Sequence, residues 1–218
     1  MPKSKRERKI TLSKTAKKGR DRKGAILEEV RGCVDEYTNL FVFSAQSMRN
    51  TALKDVRAQL KKSRIFYGRN KLMAAALGRG PSEEYRDGLS QVAQSLLGGE
   101  TGLIFTNETY ESVRQCLEDA QVPEYARSGF EATRDVTLGE SDLSSFPHSM
   151  EPFLRKLGLP TQLKAGVITL LGDYTVCREG QPLTAEGAKM LQLLDIKLAV
   201  FKLSLRCRWS EGEFEEYA

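Results

Sequence analysis

The sequence predicts an α/β sandwich with a mixed sheet, interrupted by a smaller inserted α+β domain. Three short apolar runs that suit buried strands alternate with helical patterns up to residue 124. Periodicity is then lost over residues 125–147, and a helix and a long alternating strand follow near the C-terminus. These observations predict a discontinuous main domain at residues 25–124 and 185–209, with an inserted domain at 125–184.

The first part of the main domain alternates helical and strand-like patterns. Apolar residues recur at helical spacing after Gly24, and the bulky run NLFVFSA that follows suits a buried strand. The next helix would bury Leu53, Val56 and Leu60, and Gly78 would end a short Ala-rich helix. The predicted elements are a helix at 26–37, a strand at 39–45, a helix at 48–62, a strand at 64–68 and a helix at 70–78.

Two further helices flank a third strand. Ser82 is predicted to cap a helix, with Glu83 and Glu84 in its first turn and Tyr85, Leu89, Val92 and Leu96 on its buried side. The run LIFTN at 103–107 predicts the strand. Asn107 is then predicted to cap a helix that carries an apolar stripe of Tyr110, Val113, Leu117 and Ala120.

The second half of the chain carries four predicted elements. A helix is expected around MEPFLRKLG, and the run AGVITLLGDYTVCR reads as a hairpin with a Gly-Asp turn. Thr184 is the expected N-cap of a helix. Residues 199–209 alternate between apolar and polar without interruption, which predicts a half-buried strand.

Charge is distributed unevenly between the N-terminal arm and the rest. Residues 1–24 carry eleven Lys or Arg against two acids, a net of +9, whereas the whole chain has +5. Such a basic arm is expected to be disordered alone and to contact a polyanion, act as a nuclear-import signal, or both. An acidic tail is predicted at 210–218. The arm residues predicted to bind RNA are Lys3, Lys5, Arg6, Arg8 and Lys9.

Enzymatic chemistry finds little support in the sequence. The sole histidine, His148, has no identifiable nucleophile partner, and the four cysteines are scattered without a CxxC pair. The segment closest to a phosphate-binding loop, GRDRKGA, has Ala25 where a lysine is required. No catalytic residue, metal site, cofactor, small-molecule substrate or membrane span is therefore predicted.

A nucleic-acid surface is better supported. Asn50, Lys54, Arg57 and Lys61 are spaced to form one stripe on the predicted helix at 48–62. A solvated helix face is the alternative reading. Cations also follow the first two predicted strands, at Arg49 and at Arg69 to Lys71, and strand ends of an α/β sheet commonly converge on a ligand surface.

The segment Gly68–Lys71 suits a phosphate backbone. Gly68 permits close approach of a ligand, Arg69 can bind phosphate through two nitrogens, and Lys71 adds a point charge. Asn70 is predicted to cap the following helix. Few aromatic residues accompany these cations, which favours recognition of folded RNA by shape over stacking on single strands.

Two sets of motifs resemble known ribosomal proteins. The segments LFVFSAQSMRN and FYGRNKLMAAALG resemble the stalk-base proteins of the large ribosomal subunit, whose motif is of the Gly-Lys-Asn-Thr type; Lys71 replaces its Thr. The runs LGLPTQLKAGVITLLGDYTVCREGQPLTAEGAKMLQLLDIK and FKLSLRCRW are closer still to the nucleolar assembly-factor family of mRNA turnover protein four, a paralogue of the acidic stalk protein P-zero. The resemblance covers nearly all of residues 1–209.

The resemblance implies an α/β rRNA-binding domain with an inserted second domain. It implies a non-enzymatic factor that binds the stalk-base rRNA of the precursor large (60S) subunit, beside the L-eleven type protein, until the stalk protein replaces it. Nuclear and nucleolar localisation, with shuttling to the cytoplasm on precursor subunits, is the corresponding expectation.

The chain departs from the mature stalk protein at its end. It stops at SEGEFEEYA, which cannot supply the stalk helices of that protein, so a placeholder is expected. A truncated stalk-base protein of mature subunits and an RNA-processing enzyme remain the alternatives.

Overall fold

The computed structural model describes residues 20–140 and 143–217. Their helices are α1 (Arg20–Glu36), α2 (Asn50–Gln59), α3 (Asn70–Leu77), α4 (Leu89–Leu96), α5 (Tyr110–Asp119), α6 (Glu151–Lys156) and α7 (Ala185–Leu193). Their strands are β1 (Asn39–Gln46), β2 (Arg64–Tyr67), β3 (Thr101–Thr106), β4 (Val122–Glu124), β5 (Val136–Leu138), β6 (Thr161–Lys164), β7 (Val167–Leu170), β8 (Tyr174–Cys177), β9 (Ala199–Ser210) and β10 (Glu213–Glu216).

The main sheet has the strand order β10-β9-β1-β3-β2, and β4 pairs with β9 outside this path. Both β4 and β10 run antiparallel to β9. The three early strands were predicted from their apolar runs, and each is present. β3 lies between β1 and β2, so the two strands that precede the predicted basic segments are not direct neighbours.

Helix α1 begins earlier than the apolar pattern predicted. It starts at Arg20, whereas the predicted arm extended to Gly24. Its first turn carries Asp21, a favourable charge at a helix N-terminus, and its buried side begins only with Val30, Cys33 and Val34. The rest of the predicted arm lies outside the described residues.

The chain divides into two compact units, with divisions after Val42 in β1, Arg64 in β2, Asn107 and Leu205 in β9. The first unit takes the described residues up to Val42, Ile65–Asn107 and the chain from Arg206. Its core gathers apolar side chains of α1, α3, α4 and the sheet, among them Trp209, whose indole N–H donates to the Asp87 carbonyl at 2.9 Å.

The second unit takes Phe43–Arg64 and Glu108–Leu205. Two apolar clusters lie in the region predicted as the inserted domain. Both receive residues of α7: Leu191 packs with Ala132 and Val136, and Met190 packs with Leu138. The predicted boundary assigned α7 to the main domain, whereas its buried side packs with the inserted segment.

The helix expected from Ser82 does not form there. Residues 81–88 are turns, and α4 begins at Leu89. The Glu84 carboxylate accepts hydrogen bonds from the backbone N–H groups of Gly88 and Ser90, at 3.1 and 3.0 Å. An acidic side chain thus satisfies the free donors of α4 from four to six residues upstream, a role that the local capping pattern does not reveal. Tyr85, predicted to be buried, is exposed.

The predicted cap of α5 is also wrong by two residues. Thr109 is the N-cap, and its hydroxyl accepts from the Ser112 N–H. Asn107 instead accepts from the backbone N–H and the hydroxyl of Thr38, at 2.9 and 3.2 Å. Its side chain fixes the turn before β1 rather than the helix that follows.

The hairpin predicted around Gly172 and Asp173 is wrong. β7 pairs antiparallel with the preceding β6, and β8 pairs antiparallel with β5. The true hairpin turn is Ala165–Gly166, where both residues have positive φ, 51° and 82°, as a two-residue type I′ turn requires. An Ala rarely adopts this conformation, so the residue pattern around Ala165 does not indicate a turn.

The predicted strand and the predicted tail near the C-terminus both take part in the sheet. β9 buries Ala199, Phe201, Leu203, Cys207 and Trp209 on one face, as predicted, although Leu205 is only partly buried. The predicted acidic tail contains β10, in register with β9 from Glu213 opposite Ser210 to Glu216 opposite Cys207. It is therefore an edge strand, with Glu215 ion-paired to Arg208 at 3.8 Å.

Candidate nucleic-acid interface

The loop between β2 and α3 has a special backbone conformation. Gly68 has φ of 86°, and Arg69 is in the left-handed region at φ 61° and ψ 39°. A non-glycine residue held there costs about 1 kcal/mol or more, and such residues cluster at functional sites. Apart from its two chain neighbours, no described residue places a heavy atom within 4 Å of the position that a Cβ on Gly68 would take, so its surroundings are open.

The two cations of this loop are exposed. Arg69 is the N-cap residue of α3 and Lys71 lies in the first turn, and both side chains face solvent. The Arg69 carbonyl accepts from the Leu72 and Met73 N–H groups at 2.8 and 3.2 Å, which fixes the backbone that carries its side chain. The loop thus presents two cations from a backbone that is already ordered.

Asn70 does not cap α3 as predicted. Its amide nitrogen donates to the Leu96 carbonyl at 3.2 Å, the Gly99 carbonyl at 3.4 Å and the Thr101 hydroxyl at 2.8 Å. The residue at the cap position, Arg69, makes no side-chain capping bond. Asn70 therefore ties the start of α3 to the turn before β3, and its role in the loop is one of positioning.

Arg206 stabilises the same turn, and sequence reasoning missed it. Its Nη1 donates to the Gly98 carbonyl at 2.6 Å. The only available signal was its place on the polar face of the alternating strand. Beside this turn, burial and the charge of Glu100 raise the pKa of the half-buried Tyr67.

Arg49 differs most from its predicted role. Its Nε donates to the Glu124 carboxylate at 3.1 Å, and its Nη2 donates to the Tyr125 carbonyl at 2.5 Å. Only 18% of the Arg49 side chain is exposed. Two of its three guanidinium nitrogens therefore bind Glu124 and the Tyr125 carbonyl. The sequence had predicted that Arg49 would bind RNA.

Helix α2 has the expected two-sided character. Leu53 and Val56 are buried, and Leu60 follows at the C-cap with 3% exposure. The polar residues Asn50, Lys54, Arg57 and Lys61 all face solvent on the described surface. The first three lie on α2, whereas Lys61 was predicted on the same helix and instead lies in the turn that follows, because α2 ends at Gln59. We refer to these four residues as the basic stripe. The predicted arm residues Lys3, Lys5, Arg6, Arg8 and Lys9 lie outside the described residues.

The only histidine and the cysteines of the sequence are the candidate reactive groups, and the acids are candidate metal ligands. His148 is exposed in a 3-10 turn at His148–Met150, and burial raises the pKa of the Cys207 thiol to about 11. Across residues 20–140 and 143–217 there is no cluster of three or more His, Cys, Asp or Glu able to hold a metal ion. No helix there is long and apolar enough to cross a membrane.

Two family models match the chain in succession. The model for ribosomal protein L10 matches residues 18–122, and the model for the insertion domain of the corresponding 60S ribosomal protein matches residues 126–196. The second range ends after α7, in agreement with the packing of that helix on the inserted segment.

Full-length relatives carry one name. The chain is 36% identical to the ribosome assembly factor Mrt4 of Neurospora crassa, over 99% of this chain and 92% of that protein. It is 39% identical to the protein of the same name from Schizosaccharomyces pombe, over 94% and 90%. The large ribosomal subunit protein uL10 of Saccharomyces cerevisiae is 25% identical, over 89% of this chain and 61% of that protein. The chain therefore belongs to the family of the ribosome assembly factor Mrt4, and its residues 18–122 are similar to ribosomal protein L10.

Proposed function

We propose that this chain is a non-enzymatic assembly factor that binds the stalk-base rRNA of the precursor 60S subunit and holds the site until the stalk protein replaces it. The observation that carries the proposal is the strand-end loop Gly68–Lys71, where an ordered left-handed backbone presents Arg69 and Lys71 to solvent. Because the chain is similar over nearly its full length to ribosome assembly factors, we expect the ligand of this loop to be ribosomal RNA.

The electrostatics of the loop suit a phosphate backbone. Arg69 can engage two phosphate oxygens at once, and Lys71 supplies a second positive charge two residues away. The basic stripe adds exposed cations with Lys54 and Lys61. Because phosphate contacts supply sequence-independent affinity, these residues would hold RNA mainly by the shape of its backbone.

An assembly role is favoured over that of a mature ribosomal protein by the pattern of relatives. Proteins named as assembly factors match at 32–39% identity over nearly their whole length, whereas uL10 matches at 25% over 61% of its length. Sedimentation separates the two: an assembly factor is recovered with precursor 60S particles only, and a stalk-base protein also with mature subunits.

The proposed factor would have a defined RNA-binding domain, a protein neighbour and a cellular location. We assign RNA binding to the main domain, residues 25–124 and 185–209, and expect the L-eleven type protein as its neighbour. Nuclear and nucleolar localisation, with shuttling to the cytoplasm on precursor particles, follows from such a role. The basic arm, residues 1–24, would contact adjacent RNA and serve import.

The decisive experiment is crosslinking to RNA in cells, with mapping of the bound segment. Crosslinks concentrated in the stalk-base segment of large-subunit rRNA are expected. Crosslinks dispersed over unrelated RNAs, or cleavage of stalk-base RNA by the purified protein, would instead favour an RNA-processing enzyme.

A further inference from the structure

A groove of about 570 Å³ opens in the second unit, between the start of α2 and one face of α7. We call it the α2–α7 groove. α7 lines it with Ala185, Ala188, Lys189 and Gln192, which recur at the spacing of a single helix face. Thr51 lines it from the first turn of α2. Its volume falls within the range of about 300–1,000 Å³ typical of small-molecule sites.

The charge of the groove is positive. Three cations line it, Arg49, Arg127 and Lys189, against the single acid Glu124. Arg127 and Lys189 are exposed, and Lys189 donates to the Oε1 of the neighbouring Gln192 at 3.0 Å. Glu124 is occupied with Arg49, so it leaves the charges of Arg127 and Lys189 uncompensated within the groove.

Arg49 is held in an orientation that leaves one nitrogen of its guanidinium group able to bind a ligand. Its bonds to Glu124 and to the Tyr125 carbonyl use Nε and Nη2. Its Nη1 has no hydrogen-bond partner among the residues that the structure describes. A guanidinium fixed in this way loses little freedom when it binds an anion, which favours binding.

The groove continues the basic stripe. Thr51 lines the groove, and Lys54 follows three residues later on the adjacent part of the same helix face. A polyanion that runs from Lys61, in the turn after α2, along the helix past Lys54 would therefore reach the groove at the helix start. An isolated small anion has no such approach.

We propose that the α2–α7 groove binds one unpaired nucleotide of RNA, with its phosphate on Arg127, Lys189 and Arg49. This inference rests on the proposed function and adds a second RNA contact to it. The walls suit a base, since Ala185 and Ala188 give an apolar surface. The Ser128 hydroxyl donates to the Leu183 carbonyl and the Gln192 Oε1 accepts from Lys189, which leaves the Ser128 oxygen as an acceptor and the Gln192 Nε2 as a donor for the base edge. An acidic peptide would use the cations but not this mixed polar edge.

The first test compares two pairs of substitutions. Arg127→Ala with Lys189→Ala should weaken binding of an in vitro transcript of the stalk-base rRNA about tenfold and reduce the slope of log affinity against log salt by roughly 1 to 2. The matched control, Lys164→Ala with Arg178→Ala, removes two exposed cations of the same unit that do not line the groove, and should leave both quantities unchanged.

The second test locates the nucleotide on wild-type protein. A stalk-base transcript containing 4-thiouridine should crosslink to peptides that contain Arg127 or α7. Gln192→Leu should weaken binding without altering the salt slope, because an amide contact to a base releases no counterion. The crosslink and the Gln192→Leu variant test the groove assignment even if the double substitution impairs folding.

The outcomes separate the two proposals. If the wild-type protein does not bind the transcript, the proposed function and the groove assignment both fail. If it binds, but the groove variants behave as the control pair does and no crosslink maps to the groove, only the groove assignment fails. Loss of binding to a glutamate-rich peptide, with RNA binding intact, would also overturn it and identify an acidic peptide as the ligand.

Discussion

Arg49 and Glu124, 75 residues apart in sequence, form an ion pair of 3.1 Å in which the side chains are 18% and 22% exposed. The pair joins the start of α2 to the end of β4 within one unit. It gives a structural role to a cation that the sequence assigned to RNA alone, and among the described residues Arg49 is the cation that pairs with the Glu124 carboxylate.

We expect Arg49→Ala to lower the free energy of unfolding by about 1–3 kcal/mol, because it leaves the partly buried Glu124 carboxylate and the Tyr125 carbonyl without their donors. Lys54→Ala, at an exposed position of the same helix, should change it by less than about 0.5 kcal/mol. Urea unfolding monitored by circular dichroism measures both. An unaltered stability in Arg49→Ala would show that the ion pair contributes nothing.

Arg69→Glu with Lys71→Glu is expected to abolish binding to stalk-base RNA with little change in Tm, since both side chains are exposed. Replacing Lys164 and Arg178 by Glu provides the charge-matched control. A large fall in Tm for the loop pair would mean that these residues are structural.

Arg69→Gly separates two contributions of Arg69, the RNA contact of its side chain and the steric cost of its left-handed backbone. Glycine adopts φ of 61° without the steric cost that arginine bears there, so the free energy of unfolding should stay constant or rise by up to about 1 kcal/mol. RNA affinity should nevertheless fall, because the guanidinium is gone. Thermal unfolding and fluorescence anisotropy, run on the same preparation, check the two halves of this expectation; retained affinity would exclude Arg69 from the interface.

The salt dependence of RNA binding should be steep. If the interface neutralises about six to ten phosphates, affinity falls roughly 10³- to 10⁵-fold between about 50 and 200 mM salt. Anisotropy titrations over this range give the slope. A flat dependence would contradict a phosphate-backbone interface.

Asn70→Ala should destabilise the first unit by about 1–3 kcal/mol, because the amide that serves Leu96, Gly99 and Thr101 is lost. Asn50→Ala is the control, since Asn50 is exposed at the start of α2. Chemical denaturation compares the two. Equal free energies of unfolding for the two variants would show that the hydrogen bonds of Asn70 do not stabilise the fold.

Acid should weaken the start of α4. Hydrogen bonds from Ser90 and Gly88 hold the pKa of Glu84 below its ordinary value of 4.5. A depressed pKa in the folded state stabilises the fold above the unfolded value, and this contribution is lost as pH falls through the folded value. Stability measured from pH 6 downward should therefore fall less steeply in Glu84→Gln than in the wild type; parallel curves would contradict the role of Glu84.

The elements that the sequence predicted well are those whose burial follows a simple period. α2 and β9 carry apolar residues at helical and alternating spacing, and their apolar faces are buried in the structure. Burial of one face dominates the free energy of such segments. Their sequence pattern therefore predicts the element even when the residues that pack against it are unknown.

The failures arose where a distant or unusual contact decides the structure. Thr109 rather than Asn107 caps α5 because Asn107 is engaged by Thr38, and β7 pairs with β6 because Ala165 adopts a positive φ. At the candidate site, the exposed cations of the basic stripe were predictable, whereas the capture of Arg49 by Glu124 depends on contacts 75 residues away.

The anchoring of the turn before β3 has a dynamic consequence. Asn70 lies between Arg69 and Lys71 in the sequence, and its amide donates hydrogen bonds to the Gly99 carbonyl and the Thr101 hydroxyl. A ligand that immobilises those cations will slow the opening of the anchored turn, so amide hydrogen exchange at positions 99–101 should report occupancy at a distance from the bound molecule.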